Sequence, residues 1–178
     1  MIHFRHRRLA ASSAVLALTT GLTLFAGGTA HAATTTVTYS CQTPILGTQT
    51  GDVQVTIDVP ATANVGDTVT IDVTTSPSPV TPPITLDAGS VTAAGDLAVS
   101  GAQSGTATVT SRPNSQPLPA GQPAQLPPLT GTLTLTSPGQ VNLTPGTVTA
   151  TAVTIFGTFT IPCSPASAPG VGASIQVS

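Results

Sequence analysis

Between Asp52 and Thr74 hydrophobic and polar positions alternate strictly. Val53, Val55, Ile57 and Val59 are interleaved with Gln54, Thr56 and Asp58, and Val69, Ile71 and Val73 with Thr70, Asp72 and Thr74. A period of two with β-branched residues on one face predicts two half-buried strands, the first ended by Pro60 and the second preceded by the turn residues Asn64 to Asp67. The same grammar predicts strands at 84–86, 90–93, 97–100, 106–110, 129–136, 141–143, 147–153 and 155–161. Turns are expected at Asp87-Ala88-Gly89, Gly95-Asp96, Ser137-Pro138-Gly139 and Thr144-Pro145-Gly146. Gly131 interrupts the inward series of its strand and reads as a bulge.

Residues 111–128 hold six prolines among Gly, Asn, Gln and Ser. They predict an extended, polyproline-like loop, of a length usually found in functional or mobile segments. No segment beyond the N-terminal leader has helical period, and the strands are spaced by turn signals as in sandwiches and barrels. The expected fold is therefore all-β, an antiparallel immunoglobulin-like β-sandwich over residues 33–163 following an N-terminal signal helix. Residues 164–178 are either a flexible tail or an added edge strand through 174–177.

The leader rests on charge placement. Arg5, Arg7 and Arg8 precede an apolar run over 9–27, and Ala30-His31-Ala32 supplies small residues for cleavage. A basic n-region, an apolar h-region and an A-x-A site predict a signal peptide over residues 1–32, cut after Ala32; an uncleaved anchor is the alternative. Secretion into the medium or the wall space is the consequence, with membrane contact only transiently through the leader.

Cleavage changes the available chemistry. All three His leave with the leader, and the chain beyond Ala32 has no His, Lys, Glu, Trp or Met. Its charges are Asp52, Asp58, Asp67, Asp72, Asp87, Asp96 and Arg112, a net side-chain charge of −5. Nucleic acid as a partner is excluded for want of a basic footprint. Ser-His-Asp and Cys-His catalysis lack their base. A carboxylate pair of the glycosidase kind remains, with Asp58 and Asp72 as candidates. In a hairpin where Asp58 faces Thr70, Asp72 is its diagonal neighbour at about 7–8 Å. The competing reading is two single charges that keep a solvent face soluble. Asp67, Asp87 and Asp96 read as turn residues, and no spaced acidic loop for calcium occurs.

Cys41 and Cys163 bracket the domain. An even cysteine count in an exported chain predicts a disulfide closing a loop of about 120 residues, against the alternative of two independent thiols for metal or redox work. Of the aromatics after the leader, Phe156 and Phe159 fall on opposite faces by parity, and Tyr39 and Phe159 read as core residues near the bridge. No cofactor is implied.

Tyr39-Ser40-Cys41, Pro44 and Gly47, the strand ending in Pro60 with Gly66 beyond it, and the closing Pro162-Cys163 resemble an uncharacterised family of exported actinobacterial proteins, a domain of unknown function with an immunoglobulin-like sandwich. The resemblance spans Tyr39 to Cys163. It implies secretion, a Cys41–Cys163 bridge and a β-sandwich, and it supplies no catalytic or ligand residues. The loop bounded by Pro113 and Pro128 has no counterpart in the pattern.

The function expected from these features is a secreted, non-enzymatic module with a structural or protein-interaction role at the cell envelope or in the medium. Its partner would be a protein or cell-wall component, and an exposed edge strand would allow self-association. A carbohydrate-binding module or a carboxylate-dependent glycoside hydrolase is the alternative.

Overall fold

A computed structural model describes residues 30–178 of the chain. The expected signal helix lies outside them, apart from Ala30–Ala32, the end of the expected leader, whose backbone opens the first strand. The strands are β1 (Ala30–Thr43), β2 (Gly47–Pro60), β3 (Thr62–Ala63), β4 (Thr68–Thr75), β5 (Val91–Gly101), β6 (Gly105–Ser111), β7 (Leu129–Thr134), β8 (Gly139–Thr154), β9 (Gly157–Pro165) and β10 (Ala173–Val177). No helix occurs among the described residues, so the protein is all-β there.

The strands form one continuous sheet in the order β3-β10-β8-β5-β6-β7-β4-β2-β1-β9, and β9 pairs back onto β8 to close it. Two seams are narrow. β6 meets β7 through Val109 to Ser111, and β1 meets β9 through Tyr39 to Cys41, three residue pairs in each case. The strands from β8 through β5, β6, β7, β4, β2 and β1 to β9 thus form a closed sheet around the core. Ile57, Ile71, Leu135, Leu143 and Ile175 are fully buried.

The alternating pattern is reproduced in the burial of β2 and β4, where Val53, Val55, Ile57, Val59, Val69, Ile71 and Val73 all face the core. The pairing register differs from the expected one. Val55 opposes Thr75 and Ile57 opposes Val73, so Asp58 faces Asp72 rather than Thr70. Both registers keep the apolar sets inward, so hydrophobic patterning could not choose between them. The longer connection through β3, which pairs with β10, replaces a tight hairpin.

Two expected turns are absent because the strands run through them. Gly95-Asp96 lies inside β5 and Pro145-Gly146 inside β8, where Gly95 opposes Val148 and Leu97 opposes Pro145. Gly146 and Thr147 thus stand against Asp96 alone, a bulge on β8. Glycine is required there, since a Cβ on Gly146 would lie 2.7 Å from the Asp96 carbonyl. Pro145 is tolerated because β8 changes neighbour at this point, from β10 (up to Leu143) to β9 (from Val148). The bulge inverts parity. Val141, Leu143 and Pro145 face inward before it, and Val148, Ala150 and Ala152 after it.

Gly131, by contrast, marks no bulge: it pairs in regular register with Ile71 on one side and Val109 on the other. A Cβ there would collide with the Thr108 carbonyl and the Val109 side chain, so the glycine serves close strand approach at the narrow seam. Residues 173–177 form β10, and Ala173, Ile175 and Val177 join the main core.

Candidate functional site: an apolar cavity under a proline-rich flap

The segment after β4 and the loop after β6 lie against each other. Prolines remove many donors, yet the remaining backbone groups pair across the two: Ser78 N–H donates to the Ala124 carbonyl (2.8 Å), Ala124 N–H to Val80 (2.9 Å), and Leu86 and Leu118 exchange both bonds (2.9 and 2.8 Å). The 84–86 segment is accordingly a single bridge at Leu86 rather than a strand. A small second core of Val91, Leu118 and Ala152, with Leu86 and Ala124, seats this two-ply flap on β5 and β8.

Asn114 anchors the flap. Its buried side chain accepts from Val91 N–H (2.7 Å) and donates to the carbonyls of Asp87 (2.9 Å) and Gln116 (2.8 Å). Its backbone carbonyl accepts from Gly89 N–H (2.7 Å). An amide is suited to this position because it offers a donor and an acceptor at once.

Beneath the flap lies a cavity of about 270 Å³, open at one end. Its origin is in the side chains of β8, which after the bulge lines the cavity with Val148, Ala150, Ala152 and Thr154, beside Phe159 and Ile161 of the paired β9. Small residues on one wall, with the flap held off by its own prolines, leave space that larger side chains fill elsewhere. The wall carries no charged residue and presents no polar atom to the void. Three of the hydroxyls at its edge are engaged locally: Thr43 and Thr154 in their own turns, and Ser78 with Val80.

The mouth is framed by the β1–β2 turn (Pro44, Ile45, Leu46), by Ile84 of the flap and by Phe156 of the β8–β9 turn. Phe156 and Phe159, expected on opposite faces, both line the cavity, because 155–156 is a hairpin tip rather than strand. Tyr39 is buried in the core, and its hydroxyl donates to the Gly146 carbonyl across the bulge (3.0 Å). Burial pushes its phenol up to about 12.

The Cys41–Cys163 disulfide is formed, and its cysteines are direct partners at the β1–β9 seam. Cys163 also touches the cavity. The bridge therefore locks the closure of the sheet at the wall of the site. Asp58 and Asp72 oppose each other on the outer face, away from the cavity. Asp67 accepts from Asn64 N–H (2.7 Å) within its turn, and Asp96 accepts from Thr108 (3.0 Å) at the bulge instead of making a turn. Among the described residues no three His, Cys, Asp or Glu side chains converge as a metal site would require.

Strand alternation and turn composition gave no warning of the cavity. Its signal was the pairing of small inward residues, Ala150 and Ala152, with two apolar hairpin tips of the same build, Thr43-Pro44-Ile45-Leu46-Gly47 and Thr154-Ile155-Phe156-Gly157. Comparison of the chain with protein-family models, with curated proteins and with solved structures found no match.

Proposed function

We propose that this chain is an exported, non-enzymatic binding module whose cavity takes one apolar, chain-like small molecule at the cell envelope or in the medium. The observation that carries the reading is the open void of about 270 Å³ whose wall exposes no polar atom. Small-molecule sites of about 300–1,000 Å³ usually combine an apolar lining with a few polar groups that fix orientation. Here those groups are missing, which favours an aliphatic ligand held by burial alone. A sugar would find no hydrogen-bond partners in this wall, and the Asp58–Asp72 pair lies outside the cavity. Export, membership of the actinobacterial family resembled by Tyr39 to Cys163, and the treatment of the closed sheet as an immunoglobulin-like sandwich belong to the same proposal. The disulfide is compatible with all three.

Titration with a fluorescent polyene fatty acid tests the reading. Saturable binding at one site per chain is expected, displaced by an unlabelled fatty acid and unaffected by soluble oligosaccharides. Ala150→Phe fills the void and should weaken binding roughly tenfold or more, the loss of one buried aliphatic contact surface. Absence of binding by the folded protein, or affinity unchanged from the native chain in both Ala150→Phe and Ala152→Leu, would overturn it.

A further inference from the structure

The two hairpin tips at the cavity mouth share a construction that an aqueous turn does not need. Short hairpin loops, here three residues between Thr43 and Gly47 and two between Thr154 and Gly157, ordinarily carry Asn, Asp or Gly. These tips instead present Ile45 and Leu46, and Ile155 and Phe156, with Ile45 65%, Ile155 93% and Phe156 72% exposed. Isolated exposed apolar residues are ordinary, but Ile45, Leu46, Ile84 and Phe156 all border the same cavity, and Ile155 adjoins Phe156 in the chain.

Each tip also ties one backbone N–H to a threonine hydroxyl that in turn donates to a glycine carbonyl. Leu46 N–H donates to the Thr43 hydroxyl (3.1 Å), which donates to the Gly47 carbonyl (2.7 Å). Phe156 N–H donates to the Thr154 hydroxyl (3.1 Å), which donates to the Gly157 carbonyl (3.1 Å). In water these groups would be solvated without help. In a hydrocarbon environment every backbone polar group has to be satisfied internally.

Charge placement points the same way. No charged side chain occurs at 32–51, at 73–86 or anywhere after Arg112, so all segments framing the mouth are free of the groups most costly to bring into lipid. A protein partner is ordinarily met by a flat core within a hydrogen-bonding rim, whereas these are two apolar hairpin tips.

From these observations we infer that the mouth is a lipid-docking collar: the tips Ile45-Leu46 and Ile155-Phe156 enter the interfacial layer of an uncharged bilayer and place the cavity opening against it. Uncharged lipid is specified because the chain after Ala32 carries six Asp against one Arg and is repelled by anionic leaflets. Docking of this kind goes beyond ligand binding and does not depend on the cavity being filled. It extends membrane contact past the transient one expected of the leader.

The chain has no tryptophan, so a single introduced one reports its own surroundings. Phe156→Trp and Ile45→Trp are compared in the full chain with Thr70→Trp on the exposed face of β4, using phosphatidylcholine vesicles with and without brominated acyl chains. Blue-shifted emission and bromine quenching are expected at the two tips and not at position 70. The apolar run at 9–27 cannot produce that position dependence. Adding Ile155→Asp to Phe156→Trp should weaken the response roughly tenfold. Unshifted tip emission in protein shown to be folded by circular dichroism would overturn the inference. So would equal quenching at position 70, a shift seen only with anionic vesicles and reversed by salt, or a concentration-dependent shift without lipid, which would assign the collar to a second copy of the chain. Fatty-acid binding is read separately, so either result stands without the other.

Discussion

Asp58 stands directly across from Asp72 on adjacent antiparallel strands. Asp72 accepts a hydrogen bond from Thr130 (2.9 Å), while one carboxylate oxygen of Asp58 is buried without a partner. Like charges in direct cross-strand register destabilise a sheet by a few tenths of a kcal/mol to about 1 kcal/mol. Asp58→Asn should therefore raise stability by about 0.5 kcal/mol at neutral pH and low salt, with the gain shrinking as salt screens the pair. Urea midpoints at two salt concentrations check this, and a loss of stability would mean that the carboxylate has a use in the folded protein.

Tyr39 ties stability to alkaline pH. Its phenol is raised from 10.0 to about 12 by burial, so the unfolded chain releases this proton before the folded one does. The associated stability is fully present below about pH 10 and is lost as pH rises toward 12, roughly 2 kcal/mol in all. Because this is the single tyrosine of the chain, ultraviolet titration reads it without overlap. Tyr39→Phe should remove the alkaline dependence while leaving the Gly146 carbonyl without its donor.

The disulfide spans 122 positions and fastens a seam of three residue pairs. Reduction, or the double replacement of Cys41 and Cys163 by Ser, should cost about 2–5 kcal/mol. Denaturant unfolding with and without reductant measures it. Loss of fatty-acid affinity is expected alongside, since Cys163 contributes to the cavity wall.

Asn114→Ala should destabilise the protein by about 2–3 kcal/mol, because it leaves Val91 N–H and two carbonyls unpaired in a buried setting. Hydrogen exchange localises the effect. Faster exchange at Leu86, Leu118 and Ala124 than in β2 and β4 is expected, as the flap opens before the core does.

Some of this architecture is written locally. The inward series of β2 and β4, the all-β class and the bridge follow from alternation and cysteine count, which depend on near neighbours and composition. Features that depend on distant partners were not legible. The Asp58–Asp72 register is one of several that satisfy the same parity. Thr144-Pro145-Gly146 has turn composition, and it becomes a bulge only because β8 exchanges β10 for β9 at that point. Leu118, in a stretch that reads as open loop, is buried only because Leu86 pairs with it from 32 positions earlier. The chamber was invisible for the same reason: it is a gap between segments, and Ala150 and Ala152 define it only once the flap is placed above them.

One residue of slack at Gly146–Thr147 decides what lines that chamber. Side chains along a strand alternate, so excising a single position there would rotate Thr149, Thr151 and Val153 inward and turn Val148, Ala150 and Ala152 out to solvent. The half of β8 that carries Val141 and Leu143 would keep its phase. An oily compartment would become a hydroxylated one by a three-nucleotide deletion, with the packed half of β8 left as it was.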